Sequence, residues 1–316
     1  MKEKSYKLLI ELGYSTSDAI EILNTYPLPN YTDEKLSEKI LEKFNFLCNY
    51  YIREDVINMT ISFPGLFPLN LDNMKQKIDN FISLGYTKDE VIEMTRKFPV
   101  LYSFNIDTIK QKMNCIINLG FSKSEVKRFT IDKPSLYNIT KESLNQKIDY
   151  MVSLDYKKES AIKMIKKFPS ILIYPINIIN KKITEIINLG YTQEEVLKMI
   201  KQAPQILGMR IDTLEQKIDN LIELGYTKDE VIRMTKKTPT LYSLSMNNIS
   251  EKVDELIDLG YSKEEVIIMT TIYQPLLCFN IETIKQKIED IMSFGYTKEE
   301  VIRMTIILPS IYGFTK

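Results

Sequence analysis

Residues Asp212–Tyr242 read DTLEQKIDNLIELGYTKDEVIRMTKKTPTLY, and this stretch recurs along the chain at a step of 35 residues. The residue that ends its first half is Gly225, and two looser copies near the start of the chain are centred on Gly13 and Tyr50. The equivalents of Gly225 in the other regular copies are Gly85, Gly120, Asp155, Gly190, Gly260 and Gly295. Nine copies of one short unit predict a repeat protein whose function lies in a surface.

The first half of each repeat predicts an amphipathic α-helix. If the glycine is position 0, apolar residues occupy positions −11, −7, −4 and −3, which is the spacing of one helix face. In the quoted copy these are Leu214, Ile218, Leu221 and Ile222. The glycine can end the helix in a left-handed conformation, and polar residues at −15 can cap its start. The predicted caps are Asn70, Asn105, Thr140, Ser245 and Asn280.

The second half predicts another helix, followed by a short turn. Serine or threonine at +2 precedes glutamate at +5 in six copies, as Thr227 precedes Glu230, and this pattern is a capping box. Apolar residues at +6 and +9, such as Val91 and Met94, give this helix a buried side. A proline at +14 ends it, and the few apolar residues that follow predict a 3₁₀ turn. The prolines are Pro27, Pro64, Pro99, Pro134, Pro169, Pro204, Pro239 and Pro309.

Together these elements predict an all-α fold, an α-solenoid or superhelix of nine repeats, each with two helices and a 3₁₀ turn. The prediction treats residues 1–316 as a single solenoid. The register breaks only in the tract Asn30–Phe46, where we expect a weaker boundary between repeats one and two. The repeats are placed at 1–34, 35–69, 70–104, 105–139, 140–174, 175–209, 210–244, 245–279 and 280–316.

Composition restricts the function classes. The chain has 42 basic and 42 acidic residues, so no global field draws it to DNA or to an anionic membrane. It has no histidine and no glycine-rich phosphate loop, so we expect no catalytic residues, no metal site and no cofactor. The three cysteines, Cys48, Cys115 and Cys278, are scattered, which predicts reduced thiols in the core.

The N-terminal stretch and the hydropathy pattern bear on localisation. The first residues lack the features of a signal or transit peptide, and no window is long and apolar enough to span a membrane. We therefore expect a cytoplasmic protein, or one in an organelle matrix if a leader has been removed.

One recurring set of cations occupies position −8 of the first helix, beside the apolar stripe at about 100° per residue. These lysines predict a ladder that follows a phosphate backbone. The alternative is that they cover the edge of the core and pair with an acid of the next repeat. The set consists of Lys77, Lys112, Lys147, Lys182, Lys217, Lys252 and Lys287.

A second set lies at the C-terminal end of the second helix, where cations also complement the helix dipole without any ligand. Repeats eight and nine lack it, so a nucleic-acid track would run through repeats three to seven. Rings at +1 and +17, such as Tyr226 and Tyr242, are interpreted as core between repeats, and acidic pairs such as Asp229 and Glu230 as helix-capping residues. The second set consists of Arg96, Lys97, Lys133, Lys166, Lys167, Lys201, Lys236 and Lys237.

The repeat pattern L-x-x-K-I-D-x-L-x-x-L-G, then T-x-x-E-V, then M-x-x-x-x-P-x-L, resembles the motif of the mitochondrial transcription termination factor (mTERF) family over almost the whole chain. The resemblance implies repeats of two helices and a 3₁₀ turn, wound into a left-handed superhelix. It also implies a non-enzymatic protein that binds DNA or RNA along a positively charged concave face and serves transcription regulation or termination.

The alternative function is a protein-interaction scaffold that holds a helix or peptide in the groove. The last repeat favours it, because Ile306 and Ile307 stand where earlier repeats carry basic and polar residues. We therefore expect either a nucleic-acid partner or a protein partner, the latter in the groove or at these two isoleucines, and no membrane partner.

Overall fold

The structure is a computed structural model that describes residues 2–25 and 28–314. Within these ranges it contains eighteen α-helices, nine 3₁₀ turns and no strand. The helices come in nine pairs, each followed by a 3₁₀ turn, which confirms the predicted all-α repeat fold of the solenoid class. None of these helices is both long enough and apolar enough to cross a bilayer.

Each repeat contributes one first helix, one second helix and one turn. The first helices are α1 Glu3–Glu11, α3 Asp33–Leu47, α5 Leu71–Ser83, α7 Ile106–Ile117, α9 Lys141–Ser153, α11 Ile176–Asn188, α13 Ile211–Leu224, α15 Met246–Asp258 and α17 Ile281–Met292. The second helices are α2 Thr16–Asn24, α4 Arg53–Ser62, α6 Lys88–Lys97, α8 Lys123–Asp132, α10 Lys158–Lys167, α12 Gln193–Gln202, α14 Lys228–Lys237, α16 Lys263–Ile272 and α18 Lys298–Ile307. The 3₁₀ turns are Leu28–Asn30, Pro64–Leu66, Pro99–Ser103, Pro134–Asn138, Pro169–Leu172, Pro204–Gly208, Pro239–Ser243, Gln274–Cys278 and Pro309–Gly313.

The chain divides into two compact halves, Met1–Asp149 and Tyr150–Lys316, and the division falls inside α9. The N-terminal half holds repeats one to four and most of α9. The C-terminal half holds the rest of repeat five and repeats six to nine. The single solenoid over the whole chain, with the repeat boundaries given above, remains a prediction.

Most first helices start at polar capping residues and end at residues with left-handed backbone conformation. The Asn70 Oδ1 atom accepts hydrogen bonds from the backbone N–H groups of Asp72 and Asn73 at 2.8 and 3.1 Å, and the other four predicted caps accept similar bonds. At the other end, Gly225 has φ 118°, in the left-handed region that favours glycine. Repeat five uses Asp155 there instead, with φ 69°. Both predictions are confirmed.

The buried stripe of the first helix is narrower than predicted. Leu214, Ile218 and Leu221 are buried, whereas Ile222 at −3 is 37% exposed. Position −3 lies about 100° around the helix from position −4, so it reaches only the edge of the face that the neighbouring repeat covers. The prediction that −3 belongs to the buried stripe is therefore wrong in five repeats, at Ile10, Ile82, Val152, Ile222 and Met292.

The second helices carry all six predicted capping boxes. In repeat seven the Glu230 backbone N–H donates to Thr227 Oγ1 at 3.3 Å, and the Thr227 N–H donates to the Glu230 carboxylate at 2.8 Å. The predicted apolar residues are buried, as Val231 and Met234 show. The 3₁₀ turns follow the prolines as expected, and Pro27 lies outside the described residues.

Buried hydroxyl groups connect neighbouring repeats. The Tyr191 hydroxyl oxygen lies 2.5 Å from Thr235 Oγ1 and 2.6 Å from the Tyr242 hydroxyl, 44 and 51 residues further along the chain. The same three positions are linked in three other pairs of repeats. They are Tyr51 with Thr95 and Tyr102, Tyr86 with Thr130 and Tyr137, and Tyr261 with Thr305 and Tyr312. The interpretation of these rings as core between repeats is confirmed.

Hydrogen bonds of Asp33 join repeats one and two. The Asp33 carboxylate accepts the backbone N–H groups of Lys4 and Ser5, each at 2.8 Å, and the Ser5 hydroxyl at 2.6 Å. An acid at the start of α3 thus satisfies N–H groups in the first turn of α1, which have no partner within their own helix. This contact comes from the tract that disturbs the repeat register, and the weaker boundary predicted there stays a prediction.

The cysteines differ from the expectation in one respect. All three are free thiols, but Cys48 and Cys278 are exposed and only Cys115 is half-buried. The prediction of core thiols is therefore wrong for Cys48 and Cys278, which lie at the end of a first helix and of a 3₁₀ turn, where neighbouring repeats do not cover them.

The glycine turns allow a direct test of packing between repeats. We expect Gly225→Ala to lower the free energy of unfolding by about 2 kcal/mol and Gly190→Ala by about 1 kcal/mol. Both glycines have almost the same φ, 118° and 119°, so the backbone strain is matched. A methyl group on Gly225 would lie 2.8 Å from Ile267 Cδ1, whereas on Gly190 the nearest atom is 3.8 Å away. Urea denaturation followed by circular dichroism measures the difference, and equal losses would contradict the packing contribution.

Candidate nucleic-acid interface

The lysines at position −8 lie at the edge of the core between repeats. Lys77 and Lys147 are buried, with 8% and 7% of their surface exposed, and the other five are half-buried. Burial lowers the pKa of Lys77, Lys147 and Lys217, because a charged ammonium group loses hydration there. The set therefore has little free surface to offer a phosphate group.

Four of these lysines have identified partners in their own repeat. The Lys112 ammonium group donates to the Ile139 carbonyl at 3.0 Å, and Lys287 donates in the same way to the carbonyl of Phe314. Lys182 pairs with Glu185 at 2.9 Å, and Lys252 pairs with Glu255. In both ion pairs the acid stands three residues further along the same helix, whereas the sequence alternative placed it in the next repeat.

The cations at the ends of the second helices are more accessible. Arg96, Lys97, Lys133, Lys167, Lys201 and Lys237 are exposed, and Lys166 and Lys236 are half-buried. They sit where the helix macrodipole is negative, which stabilises a positive side chain whether or not a ligand is present. The two predicted sets thus differ chiefly in how much of each charge faces solvent.

Some members of the second set are already neutralised. The Arg96 guanidinium binds both oxygens of Glu93 at 2.8 and 2.9 Å and lies 3.5 Å from Asp55 of the preceding repeat. Lys97 lies 3.3 Å from the same Glu93. Lys236 pairs with Glu195 of the preceding repeat at 2.8 Å.

Four members keep an unpaired charge, and we refer to Lys133, Lys167, Lys201 and Lys237 as the open lysines. None of them forms an ion pair within residues 2–25 and 28–314. Lys167 and Lys237 donate to backbone carbonyls of Gln202 and Ile272, each at 3.2 Å, in the last turn of the next second helix. These neutral acceptors leave the positive charge uncompensated.

Three of the open lysines, Lys167, Lys201 and Lys237, follow one another in the C-terminal half, at the ends of α10, α12 and α14. Packed helices lie about 8–10 Å apart. Measured along the axis of a duplex, that interval corresponds to roughly three steps of one strand, at about 3.4 Å of axial rise per phosphate. This row can therefore contact a phosphate backbone, but such contacts carry no sequence information.

The capping glutamates make ion pairs that the sequence did not reveal. Glu90 lies 2.9 Å from Lys127, at +7 of the next repeat, and Glu195 lies 2.8 Å from Lys236, at +11 of the next repeat. The pKa of Glu90 and of Glu195 is lowered first by the lysine hydrogen bond and then by the backbone N–H of the capping threonine. Glu90 and Glu195 thus cap their own helices and pair with a lysine of the next repeat, and both roles support the interpretation of these glutamates as structural.

The aromatic rings offer little to nucleic-acid bases. Every predicted ring at +1 or +17 is buried except Tyr296, which is 46% exposed in the last repeat. The interpretation as core is wrong for Tyr296 alone, because no further repeat covers it in this structure.

A cleft of about 770 Å³ lies between α7 and α9, within the N-terminal half. Amide side chains line it, among them Gln111, Asn114 and Asn145, together with Lys112. These groups can donate and accept hydrogen bonds, but no buried charge points into the cleft. It is therefore a weaker candidate than the row of open lysines.

The comparison with known proteins identifies one family. The model of the mTERF family matches residues 7–223 and residues 212–304, which together cover most of the chain. No curated protein matches the chain.

Proposed function

Because this chain belongs to the mTERF family, we propose that it is a non-enzymatic protein that binds DNA or RNA through phosphate contacts and acts in transcription regulation or termination. The observation that carries the proposal is the row of open lysines, Lys167, Lys201 and Lys237, on three consecutive repeats of the C-terminal half. The cytoplasm, or an organelle matrix after removal of a leader, is the proposed location.

Accessible charge favours the second lysine set over the first as the source of phosphate contacts. A phosphate must displace water from an ammonium group, and it gains most where no acid already neutralises that group. The open lysines meet this condition, whereas Lys182 and Lys252 are paired within their own helix. We therefore assign phosphate contacts to the open lysines. The lysines at −8 are assigned a structural role: they cover the edge of the core, and Lys112 and Lys287 also donate to backbone carbonyls of their own repeats.

The neutral net charge fits this assignment. Acids at −6 of the first helix, such as Asp219 and Asp254, are exposed, while the second helices end in cations. Opposite charges therefore occupy different parts of each repeat, and a local field can attract a polyanion although the total charge is zero.

Fluorescence anisotropy with labelled duplex DNA, single-stranded DNA and RNA tests the proposal. The three lysines of the row predict that affinity for duplex DNA falls about 40-fold between roughly 50 and 200 mM salt. The fall is expected to be somewhat smaller for single strands, whose counterion density is lower. Absence of binding to all three at the lower salt concentration would contradict the proposal.

A protein-interaction scaffold is the second candidate, and one observation favours it. In the last repeat Ile307 is 80% exposed, and Ile306 is half-buried, where earlier repeats carry cations. A partner helix or peptide would find apolar surface there. If nucleic acid binds with the expected salt dependence, the first proposal is supported, and the apolar surface at Ile306 and Ile307 then needs a separate explanation.

A further inference from the structure

The outer face of repeat nine is apolar. Phe294, Tyr296 and Leu308 are 81%, 46% and 50% exposed, and Ile307, which precedes Leu308 in the chain, is 80% exposed. In the preceding repeats of the C-terminal half the next repeat covers this side, so that Tyr226 and Tyr261 are buried. Terminal repeats that meet water need a polar outer face for solubility. Repeat nine instead keeps the surface of a repeat that has a neighbour.

Repeat one presents the complementary side of the same packing. In repeats two, seven, eight and nine the residue at +7 lies over the glycine turn of the preceding repeat, whereas Gly85 and Gly120 have no such contact. A methyl group on Gly13 would lie 3.4 Å from Ile57 Cδ1, and one on Gly260 would lie 3.3 Å from Ile302 Cδ1. The corresponding residue of repeat one is Ile20, which is 40% exposed and lines a cleft of about 420 Å³ with Leu23 and Pro29.

We infer that two copies of this chain associate head to tail, with repeat one of one copy stacked on repeat nine of another in the register used between internal repeats. In this register Ile20 would lie over Gly295, which has no atom within 4 Å of a methyl group placed on it. Phe294 and Leu308 would then lose their contact with water. This inference is independent of nucleic-acid binding.

The buried hydroxyl group at such a junction has a precedent inside the chain. At the proposed junction Tyr296 would face Leu23, which has no hydroxyl group. Tyr156 is in the same situation inside the chain, because it faces Ile200 at the position where Tyr191 faces Thr235. The Tyr156 hydroxyl donates to the Leu197 backbone carbonyl at 2.6 Å. Since Leu197 is at +7, the equivalent acceptor for Tyr296 is the carbonyl of Ile20.

Charge makes this junction weaker than two of the internal ones. At those two junctions the glutamate at +5 pairs with a lysine of the next repeat, as Glu90 does with Lys127 and Glu195 does with Lys236. At the proposed junction Glu300 would meet Ile20 and Asn24, neither of which is a cation. The association is therefore expected to be reversible and concentration-dependent. Because the contact joins two different faces, it does not close after two copies.

Sedimentation velocity of the 316-residue chain without nucleic acid, from about 1 to 200 μM, tests the inference by mass action. We expect species larger than dimers at the high end. A head variant, Ile20→Asp, and a tail variant, Phe294→Asp with Ile307→Asp, are each expected to remain monomeric. An equimolar mixture of the two is expected to form a dimer and nothing larger, because one intact head and one intact tail remain. The control Val152→Asp changes a 45% exposed residue outside both faces and should associate like the original chain.

Three results would overturn the inference. The first is an original chain that stays monomeric throughout. The second is a head variant that associates normally while the tail variant does not, which would indicate a contact between two copies of repeat nine. The third is a mixture of the variants that forms no dimer. Circular dichroism must show that each variant folds, and Phe294→Ser with Ile307→Ser serves as the tail variant if the aspartates prevent folding.

Discussion

Replacing Lys167, Lys201 and Lys237 together with glutamine is expected to weaken duplex DNA binding on the order of 100-fold at about 50 mM salt. Each lysine that contacts a phosphate releases condensed counterions, so its loss also reduces the dependence of affinity on salt. Three lost contacts should lower the slope of log affinity against log salt by about 2.7. Anisotropy titrations at four or more salt concentrations measure both quantities.

The chain offers a matched control for this variant. Lys182, Lys217 and Lys252 also lie in the C-terminal half, and their replacement by glutamine removes the same charge from half-buried positions. We expect this control to lower thermal stability but to change the salt slope by less than about one. If the control flattens the slope and the open-lysine variant does not, the phosphate track follows the first helices, as the ladder hypothesis stated.

Tyr191→Phe is expected to lower the free energy of unfolding by about 3 kcal/mol, although it removes a single oxygen atom. The reason is the order of donors in the buried hydroxyl chain. The Thr235 hydroxyl donates to the Val231 carbonyl at 2.6 Å, so its oxygen must accept the proton of Tyr191. The Tyr191 proton is then used, and Tyr242 must donate to the Tyr191 oxygen. Without the Tyr191 hydroxyl the buried Tyr242 donor loses the acceptor that it uses in the structure.

The same order predicts an asymmetry between the two tyrosines. Tyr242→Phe removes only the last donor and leaves Tyr191 bonded to Thr235, so we expect a loss of about 1 kcal/mol. The double variant, Tyr191→Phe with Tyr242→Phe, leaves no orphaned donor and should cost no more than Tyr191→Phe alone. A double-mutant cycle by urea denaturation measures the coupling. Equal costs for the two single variants would show that the donor order is different.

Local features of the fold could be predicted from the sequence because their atoms lie close together along the chain. The capping box joins Thr227 to a glutamate three residues away, and the left-handed turn depends on Gly225 itself. The 3₁₀ turn follows directly from the proline that ends the second helix. Such features depend on backbone geometry within one turn, and a neighbouring repeat does not alter them.

The candidate site was predictable only in outline. The sequence identified both sets of cations, and helix periodicity placed the lysines at −8 beside the core. It could not show that Lys77 and Lys147 are buried, or that Arg96, which Glu93 binds in its own helix, also lies 3.5 Å from Asp55 of another repeat. Whether a charge remains open depends on which acid lies within about 4 Å in space, and that distance is set by how repeats stack.

The sequence by itself thus determined the repeat, its two helices, their caps and turns, and the membership of the two lysine sets. Only the tertiary structure decided the hydroxyl chain from Tyr191 to Tyr242, the bonds of Asp33 to α1, the exposure of Ile222 and the four lysines that stay open. The physical reason is distance along the chain. Interactions within a helix turn depend on residues that are close together in the sequence. Contacts between residues 44 or 51 positions apart form only after neighbouring repeats have packed.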